Sequence, residues 1–535
     1  MSRTSDESLK TSNSTSSKTG ALLVAAGMLL SKTAGLARES VFAHYFGSSD
    51  AGDAYKAALK IPNFLQNLLG EGVLSASFIP VYTGLRVQGE DQKEDAKKVA
   101  RTIASLLSLV VATLVLLGVL ATPALIDLVA PGFHGEKREL TIRLVQIIFP
   151  GTGILVLSAW CLGILNSHHK FFMSYAAPVL SNFAVIATLF IFGGSLSQNN
   201  LAITTAWGLV IGSLLQLGIQ LPTAFRLISG YRPTLALHLA PVRTIVTNFV
   251  PVVISRGVVQ VSAYIDSVLA SFLPTGAVSA LAYAQMIYLL PIGLFGMSIS
   301  AAELPNMSRA SGSTEEIATF LRGRLNRALR QIAFFVIPSS VAFLFLGDVI
   351  ISALLQTGKF THETTLYVWA VLAGSTVGLL SATFGRIYSS TYYALKDTRT
   401  PLRFSLVRVA LTTVLGILFS ITLPKLLGIG AIWATAGLTI SAGIAGWAEF
   451  LLLRRGIRHR LGPTGIPVSV QAKLWGSAIA AAIVGGALKL SLPNLNHIFR
   501  AAVVLIPFGI VYLSATVSLQ IPEASSLIKR LLRRA

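Results

Sequence analysis

The stretch SKTAGLARESVFAHYFGSSDAGDAYKAALKIPNFLQNLLGEGVLSASFIPVY, residues 31–82, carries charged side chains inside two segments that are apolar enough to cross a membrane. A charge at bilayer depth is costly and normally faces a cavity or a partner. One interpretation is that ion pairs hold the two helices together, and the pairs would be Lys32–Glu39 and Arg38–Asp53. The other is a water-filled polar chamber, which is favoured because the acids cannot neutralise all the cations at helical spacing. The charged residues of this stretch that we single out as candidates are Lys32, Arg38, Glu39, Asp53, Lys60 and Glu71.

The composition of the 535-residue chain excludes an ordinary soluble protein. It is 53% hydrophobic and only 12% charged, whereas soluble domains carry about 25% charged residues. The net charge of +21 would suggest nucleic acid in a soluble protein. In a membrane protein it is better explained by Lys and Arg in cytoplasmic loops, so no nucleic-acid partner is expected.

Runs of about 20 apolar residues predict an all-α polytopic membrane protein with about fourteen transmembrane helices. Breaks in the helices are expected at Pro62, Pro251 and Pro291. The predicted spans are 20–46, 54–84, 101–129, 141–166, 173–194, 202–227, 243–273, 277–304, 329–356, 365–392, 403–423, 429–453, 472–491 and 499–519.

Basic residues follow the even-numbered spans, as in 93–101 and 454–460, and are scarce after the odd-numbered ones. This asymmetry predicts that both termini are cytoplasmic. Two of the basic connections, 89–107 and 312–332, place charges at helical spacing and predict amphipathic helices on the inner membrane surface. Ser313 is the expected N-cap of the second.

Four motif pairs recur at a spacing of about 225 residues: Pro80 with Pro305, Phe133 with Phe360, Lys170 with Lys396, and Pro178 with Pro401. They indicate a duplicated unit of about six helices, with both copies in the same orientation and a substrate site between them. The predicted parts are a disordered cytoplasmic tail (1–19), an N-lobe (20–230), a C-lobe (240–460), two extra helices (470–520) and a basic cytoplasmic tail (521–535).

Further intramembrane polar residues occur in the second half. Arg256 and Gln260 share one helical face, and Arg386 lies in the tenth predicted span. If they converge with the cations of the first half, the chamber suits an anion such as a diphosphate headgroup. The alternative for each arginine is pairing with Asp266 or with a backbone carbonyl.

No catalytic signature, nucleotide-binding loop or metal-ligand spacing is present, so we expect neither an enzyme nor a cofactor or metal. The energy source would then be the membrane potential or an ion gradient. The carboxylates that could couple H⁺ or Na⁺ are Glu39, Asp53, Glu71 and Asp266.

The opening stretch resembles the MurJ/MviN family of bacterial lipid II flippases, in the multidrug/oligosaccharidyl-lipid/polysaccharide exporter superfamily. The likeness runs from about residue 20 to 455. It continues in APGF (130–133), ILNSHHKF (164–171), APVLSN (177–182), QTGKF (356–360) and ALKDTRTP (394–401).

The resemblance implies two six-helix lobes around a V-shaped cationic cavity, with helices 13 and 14 (470–520) forming a groove for the lipid tail. It implies alternating-access transport of the undecaprenyl-diphosphate-linked peptidoglycan precursor, lipid II, from the inner to the outer leaflet of the bacterial cytoplasmic membrane for cell-wall synthesis. We expect a monomer surrounded by membrane lipids, with the cell-wall synthesis machinery as a further candidate partner. The alternatives are a flippase for another polyprenyl-diphosphate-linked glycan, a cation-coupled drug exporter of the same superfamily, a membrane enzyme that uses the same lipid, and a scaffold without transport.

The family's essential pattern falls on Ser31, Lys32, Gly35, Arg38 and Glu39, its helix 2 acid and lysine on Asp53 and Lys60, and its AEG glutamate on Glu71. Three positions depart from the arginine of better-known members: Lys32, Gln66 and Met286. We expect Lys32, Arg38 and Arg256 to bind the diphosphate, with Glu39 and Asp53 orienting or gating them. The full predicted substrate-binding set is Ser31, Lys32, Arg38, Glu39, Asp53, Lys60, Glu71, Arg256, Gln260 and Arg386.

Overall fold

A computed structural model describes residues 26–87, 90–230, 232–428, 430–492 and 495–532, and within these ranges every regular element is helical. The chain divides by its internal contacts into two compact units, Met1–Val268 and Leu269–Ala535. The lobe boundaries expected from the sequence stay a prediction.

The first unit is built around α8, which packs against α11, α6 and the short helices α2 to α4. Its helices are α1 (26–46), α2 (Asp50–Ala58), α3 (Lys60–Leu69), α4 (Glu71–Ser77), α5 (Ile79–Val87), α6 (Glu90–Leu120), α7 (Thr122–Val129), α8 (Gly135–Ser167), α9 (Phe171–Ala176), α10 (Pro178–Phe192), α11 (Gln198–Leu227) and most of α12 (Ala240–Ser271).

The second unit is built around α15 and α20, which pack against α16 and α17. Two π-helical segments, Ile292–Met297 and Leu418–Thr422, interrupt its membrane-crossing helices. Its helices are α13 (Ala277–Pro291), α14 (Ser298–Met307), α15 (Thr314–Leu355), α16 (His362–Thr376), α17 (Leu379–Ala394), α18 (Arg399–Ile417), α19 (Leu423–Leu427), α20 (Ala431–Leu461), α21 (Val468–Ser491), α22 (His497–Ser518) and α23 (Pro522–Leu532).

Eleven helices within the described residues are long and apolar enough to cross a membrane. The number is twelve if α16 and α17, which bend by 41° at their junction, form one span. These helices confirm the all-α polytopic class. Two further helical segments, α1 and α12, coincide with the first and seventh predicted spans but are not among the eleven, so the total of fourteen stays a prediction.

The second predicted span is a broken helix rather than a single rod. Asp50–Val87 crosses as one 38-residue segment made of four short helices, α2 to α5. Gly70 forms one break, and a Cβ at this position would lie 2.3 Å from the carbonyl oxygen of Gln66. Pro62 follows the first break, near the start of α3, where its missing N–H is tolerated. Pro291 also ends α13, as predicted, whereas Pro251 lies inside a continuous α12.

The prediction of separate amphipathic helices on the membrane surface is wrong. Residues 90–107 and 314–332 form the first turns of α6 and α15, which continue into the apolar spans without a break. No strong helix breaker separates the charged part from the apolar part, so the backbone hydrogen bonds continue. Ser313 is nevertheless the N-cap of α15, and its backbone N–H donates to the Glu316 carboxylate at 2.8 Å, which completes a capping box.

The two units share local structure close to the positions of the sequence repeat, although His169 and not the neighbouring Lys170 is the counterpart of Lys396. His169 and Lys396 both follow a helix end with positive φ angles of 58° and 60°. In each case the next N–H bonds to the carbonyl five residues earlier at 2.9 Å. This is the same left-handed helix-ending motif. Phe133 and Phe360 are both buried, which agrees with a duplicated unit.

The two extra C-terminal helices, α21 and α22, pack against α15 within the second unit. The Lys489 ammonium of α21 lies 2.7 Å from the Asp348 carboxylate of α15. The Tyr512 hydroxyl of α22 donates to the Phe334 carbonyl of the same helix at 2.6 Å. The lipid-tail groove expected for residues 470–520 stays a prediction.

Candidate functional site

Three charged side chains of α1 and α2 form a compact ion cluster, which we call the N-unit cluster: Arg38, Glu39 and Lys56. The Arg38 guanidinium lies 2.8 Å from the Glu39 carboxylate, whose other oxygen accepts from the Lys56 ammonium. The Lys56 ammonium also lies 4.3 Å from the centre of the Phe42 ring. Glu39 and Phe42 are three residues apart, so one face of α1 presents both to Lys56. Two cations share one carboxylate, and the cluster carries one net positive charge.

Arg38 is the most accessible member of the N-unit cluster. Its side chain is 32% exposed, compared with 16% for Glu39 and 7% for Lys56. A Cβ added at Gly35, about one turn earlier on α1, would meet no atom within 4 Å. The face of α1 beside Arg38 is therefore open. The Arg38 fork retains N–H donors beyond the one that binds Glu39.

Asp53 lies at a different contact, between α2 and α8. The Lys137 ammonium lies 2.8 Å from Asp53 and 2.8 Å from Asp50, and 4.4 Å from the centre of the Phe133 ring. Asp53 itself is only 1% exposed. The pairs considered from the sequence are thus replaced, since Arg38 binds its neighbour Glu39 and Asp53 binds a lysine of α8.

Lys56 and Lys137 were missed by the sequence reasoning. Lys56 lies four residues before the candidate Lys60 in the same predicted span, so its charge inside an apolar segment could have identified it. Lys137 lies in GEKREL, between two predicted spans, and carried no signal beyond its charge.

The remaining N-terminal candidates lie around these contacts. Ser31 is half-buried and Lys32 is exposed on α1. Lys60 begins α3, and its carbonyl accepts from the Tyr264 hydroxyl of α12 at 2.7 Å. Asp266 interacts electrostatically with Lys60. Glu71 begins α4 and is exposed.

Arg256 and Gln260 belong to α12, but their side chains lie outside the described part of the structure. Arg386 is exposed on α17 and interacts electrostatically with Arg408 and Glu449 of its own unit. Arg408 in turn pairs with Glu449 at 3.3 Å. Of the candidates, Arg38, Glu39 and Asp53 therefore lie in local ion pairs, and Arg386 lies near the Arg408–Glu449 pair.

Metal chemistry finds no support in the described ranges, where no three His, Cys, Asp or Glu side chains lie close enough to hold an ion. The chemistry available in the N-unit cluster is the binding of an anion by guanidinium and ammonium groups.

Two curated relatives of this chain are described as lipid II flippases. A curated relative from Rhizobium tropici, "Probable lipid II flippase MurJ", is 30% identical over 445 residues, covering 81% of this chain and 79% of the relative. The "Lipid II flippase MurJ" of Burkholderia cenocepacia is 31% identical over 450 residues, covering 82% and 84%.

Solved structures agree with the sequence relatives. The structure of "Lipid II flippase MurJ, inward closed conformation" superposes with a TM-score of 0.74 at 27% identity, covering 96% of this chain and 99% of that one. A multidrug resistance MATE family transporter of the MOP superfamily has a TM-score of 0.61 at 19% identity, covering 80% and 96%, and shows a likeness of fold alone. The sequence model of the family described as "Lipid II flippase MurJ" matches residues 42–508, most of the chain, and the protein therefore belongs to this family.

Proposed function

We propose that the protein is a lipid II flippase, which moves the polyprenyl-diphosphate-linked peptidoglycan precursor across the cytoplasmic membrane. The observation that carries the proposal is the family match over residues 42–508, together with relatives that align over about four-fifths of their own length. The helical membrane architecture supports the same function, because a lipid carrier must present a polar path inside an apolar shell.

The N-unit cluster is proposed to bind the diphosphate. Arg38 supplies an accessible fork beside an open face of α1, and a guanidinium fork matches the geometry of phosphate oxygens. Glu39 orients the fork through its 2.8 Å ion pair. Lys56 offsets the charge of Glu39, so that the cluster keeps its net positive charge. Lys32 would act on the headgroup as a point charge.

The other elements of the proposal come from the sequence. Arg256, Gln260 and Arg386 are proposed as further contacts to the headgroup, and Lys60, Ser31 and Glu71 as polar groups around it. Both termini are proposed to face the cytoplasm, because the basic loops follow the even-numbered spans. Transport is proposed to draw on the membrane potential or on an H⁺ or Na⁺ gradient.

Complementation tests the function and the site together. Cells depleted of their own lipid II flippase would express the native chain, Arg38→Ala, Arg38→Lys or the control Arg138→Ala. Arg138 is a matched control because its side chain is also 32% exposed and also binds one carboxylate, that of Asp127. The readouts are growth, protein level in the membrane, and cleavage of lipid II by a membrane-impermeant enzyme added from outside.

We expect rescue by the native chain and by Arg138→Ala, none by Arg38→Ala, and partial rescue by Arg38→Lys, which keeps the charge but loses the fork. A native chain that reaches the membrane but does not rescue would contradict lipid II as the substrate. Full rescue by Arg38→Ala would leave the function in place and remove Arg38 from the binding site.

A further inference from the structure

A cleft of about 570 Å³ lies between the N-terminal half of α15 and the C-terminal helix α23. On the α15 side it is lined by one face of the helix, from Gly323 through Arg327 and Arg330 to Phe334 and Phe335. These residues recur at three- and four-residue intervals, which places them on a single stripe. Opposite them lie Glu523 and Ser526 of α23.

The charges of the cleft do not cancel. Arg330 binds Glu523, with its Nε 3.1 Å from one carboxylate oxygen, and this pair joins α15 to α23. Arg327 is exposed and forms no ion pair with any residue in the described ranges. One net positive charge therefore lines the cleft, beside the hydroxyl of Ser526 and the amide of Gln331.

The cleft is polar at one end and aromatic at the other. Arg327 lies two residues before the predicted start of the ninth span, and Phe334 and Phe335 follow seven and eight residues later. At 1.5 Å per residue the arginine and the rings are about 10–12 Å apart along the helix axis. The cation thus lies at the expected membrane interface, and the rings lie inside the apolar layer.

We propose that this cleft binds an anionic phospholipid of the surrounding membrane, with its phosphodiester at Arg327 and one acyl chain along Phe335. The single net charge of the cleft matches the single charge of a phosphodiester. Basic pockets between helices at the cytoplasmic side of a membrane bind anionic lipid headgroups. The volume falls within the range of small-molecule sites. The lipid would touch α15 and α23 together, and so strengthen the docking that the Arg330–Glu523 pair begins.

Native mass spectrometry of the full-length protein in neutral detergent tests the proposal. The probes are phosphatidylglycerol and phosphatidylcholine with identical acyl chains, each titrated against the native chain, Arg327→Gln, Gly323→Leu and Arg309→Gln. Gly323→Leu fills the cleft without threatening the fold, since an added Cβ meets nothing within 4 Å and Leu favours a helix more than Gly. Arg309 is an exposed arginine outside the cleft, in the same basic connection, and serves as the control.

The native chain should prefer phosphatidylglycerol. Arg327→Gln should weaken that binding about tenfold, as expected for loss of a hydrogen bond to a charged group. Gly323→Leu should also weaken it, because the added side chain occupies the cleft. Arg309→Gln should bind like the native chain. The proposal is overturned if Arg309→Gln weakens binding as much as Arg327→Gln, which would indicate diffuse electrostatics. The proposal would also be overturned if Gly323→Leu bound phosphatidylglycerol like the native chain. The same holds if inorganic phosphate displaced the bound lipid as readily as free phosphatidylglycerol does.

Discussion

Replacing Lys137 with Met should destabilise the first unit, because Asp53 would stay buried after losing the ammonium that faces it. Asp53 is 1% exposed, and Lys137 lies 2.8 Å from it. Removing one partner of a buried ion pair costs about 3–5 kcal/mol. The Lys137 side chain is itself 16% exposed, so water can partly replace it, and we expect the lower end, about 3 kcal/mol. Asp50 is 59% exposed and should lose little.

The magnitude can be measured by thermal unfolding of the full-length protein in detergent, followed by tryptophan fluorescence. The apparent Tm of Lys137→Met should fall by several degrees. The double variant Lys137→Met/Asp53→Asn should recover most of this loss, because no charge then remains buried at the contact. Arg138→Met, at the next position, breaks a pair with a carboxylate that is 61% exposed and should leave the Tm unchanged.

Two results would refute the reasoning. If the Tm of Lys137→Met equals that of the native chain, the Lys137–Asp53 pair contributes no net stability. If the double variant is as unstable as the single one, the loss comes from the packing of Lys137 on Phe133 and not from the broken Lys137–Asp53 ion pair.

Two further predictions concern packing and pH. Gly212→Ala should destabilise the protein by about 1–3 kcal/mol, because its Cβ would lie 2.9 Å from the backbone of α10. The control Gly218→Ala lies on the same helix, where a Cβ meets no atom within 4 Å, and it should be neutral or stabilising. Equal Tm values for the two variants would contradict this. The pKa of Asp397 is lowered to about 2, first by the hydrogen bond from the Thr400 N–H and also by the Thr400 hydroxyl and Arg460. Since the pKa is lower in the folded state, Asp397 stabilises the protein above about pH 4, and this contribution is lost as the pH falls through about 2. The Tm of Asp397→Asn should therefore lie below that of the native chain at pH 4, and this difference should become smaller as the pH falls to 2. A Tm difference that stays constant over this range would contradict the assignment.

Features that depend on local sequence were predictable. The membrane class follows from apolar runs, and the N-cap of α15 at Ser313 follows from four consecutive residues. Breaks were predictable in part. Pro291 ends a helix as expected. The break at Gly70 has no proline to predict it, and glycine is required there by the close approach of the Gln66 carbonyl. This contact exists only after the chain has turned.

Ion pairing was not predictable, because it depends on how helices rotate and pack against each other. Asp53 and Lys137 are 84 positions apart, and their contact requires α2 to lie against α8. Spacing along α1 and α2 allowed Arg38 as a partner of Asp53, and the fold gives each of them a different one.

The net charge of the N-unit cluster shows why this matters for function. A count of charges in residues 31–82 sets acids against cations without saying which acid faces which cation. In the fold, Lys56 occupies the second oxygen of Glu39, so the carboxylate that holds Arg38 is already shared. One carboxylate cannot neutralise two cations, and the excess charge falls to the more exposed one, Arg38. Lys56, a buried lysine that the sequence pattern did not single out, thus leaves Arg38 with the excess positive charge that we propose binds an anion.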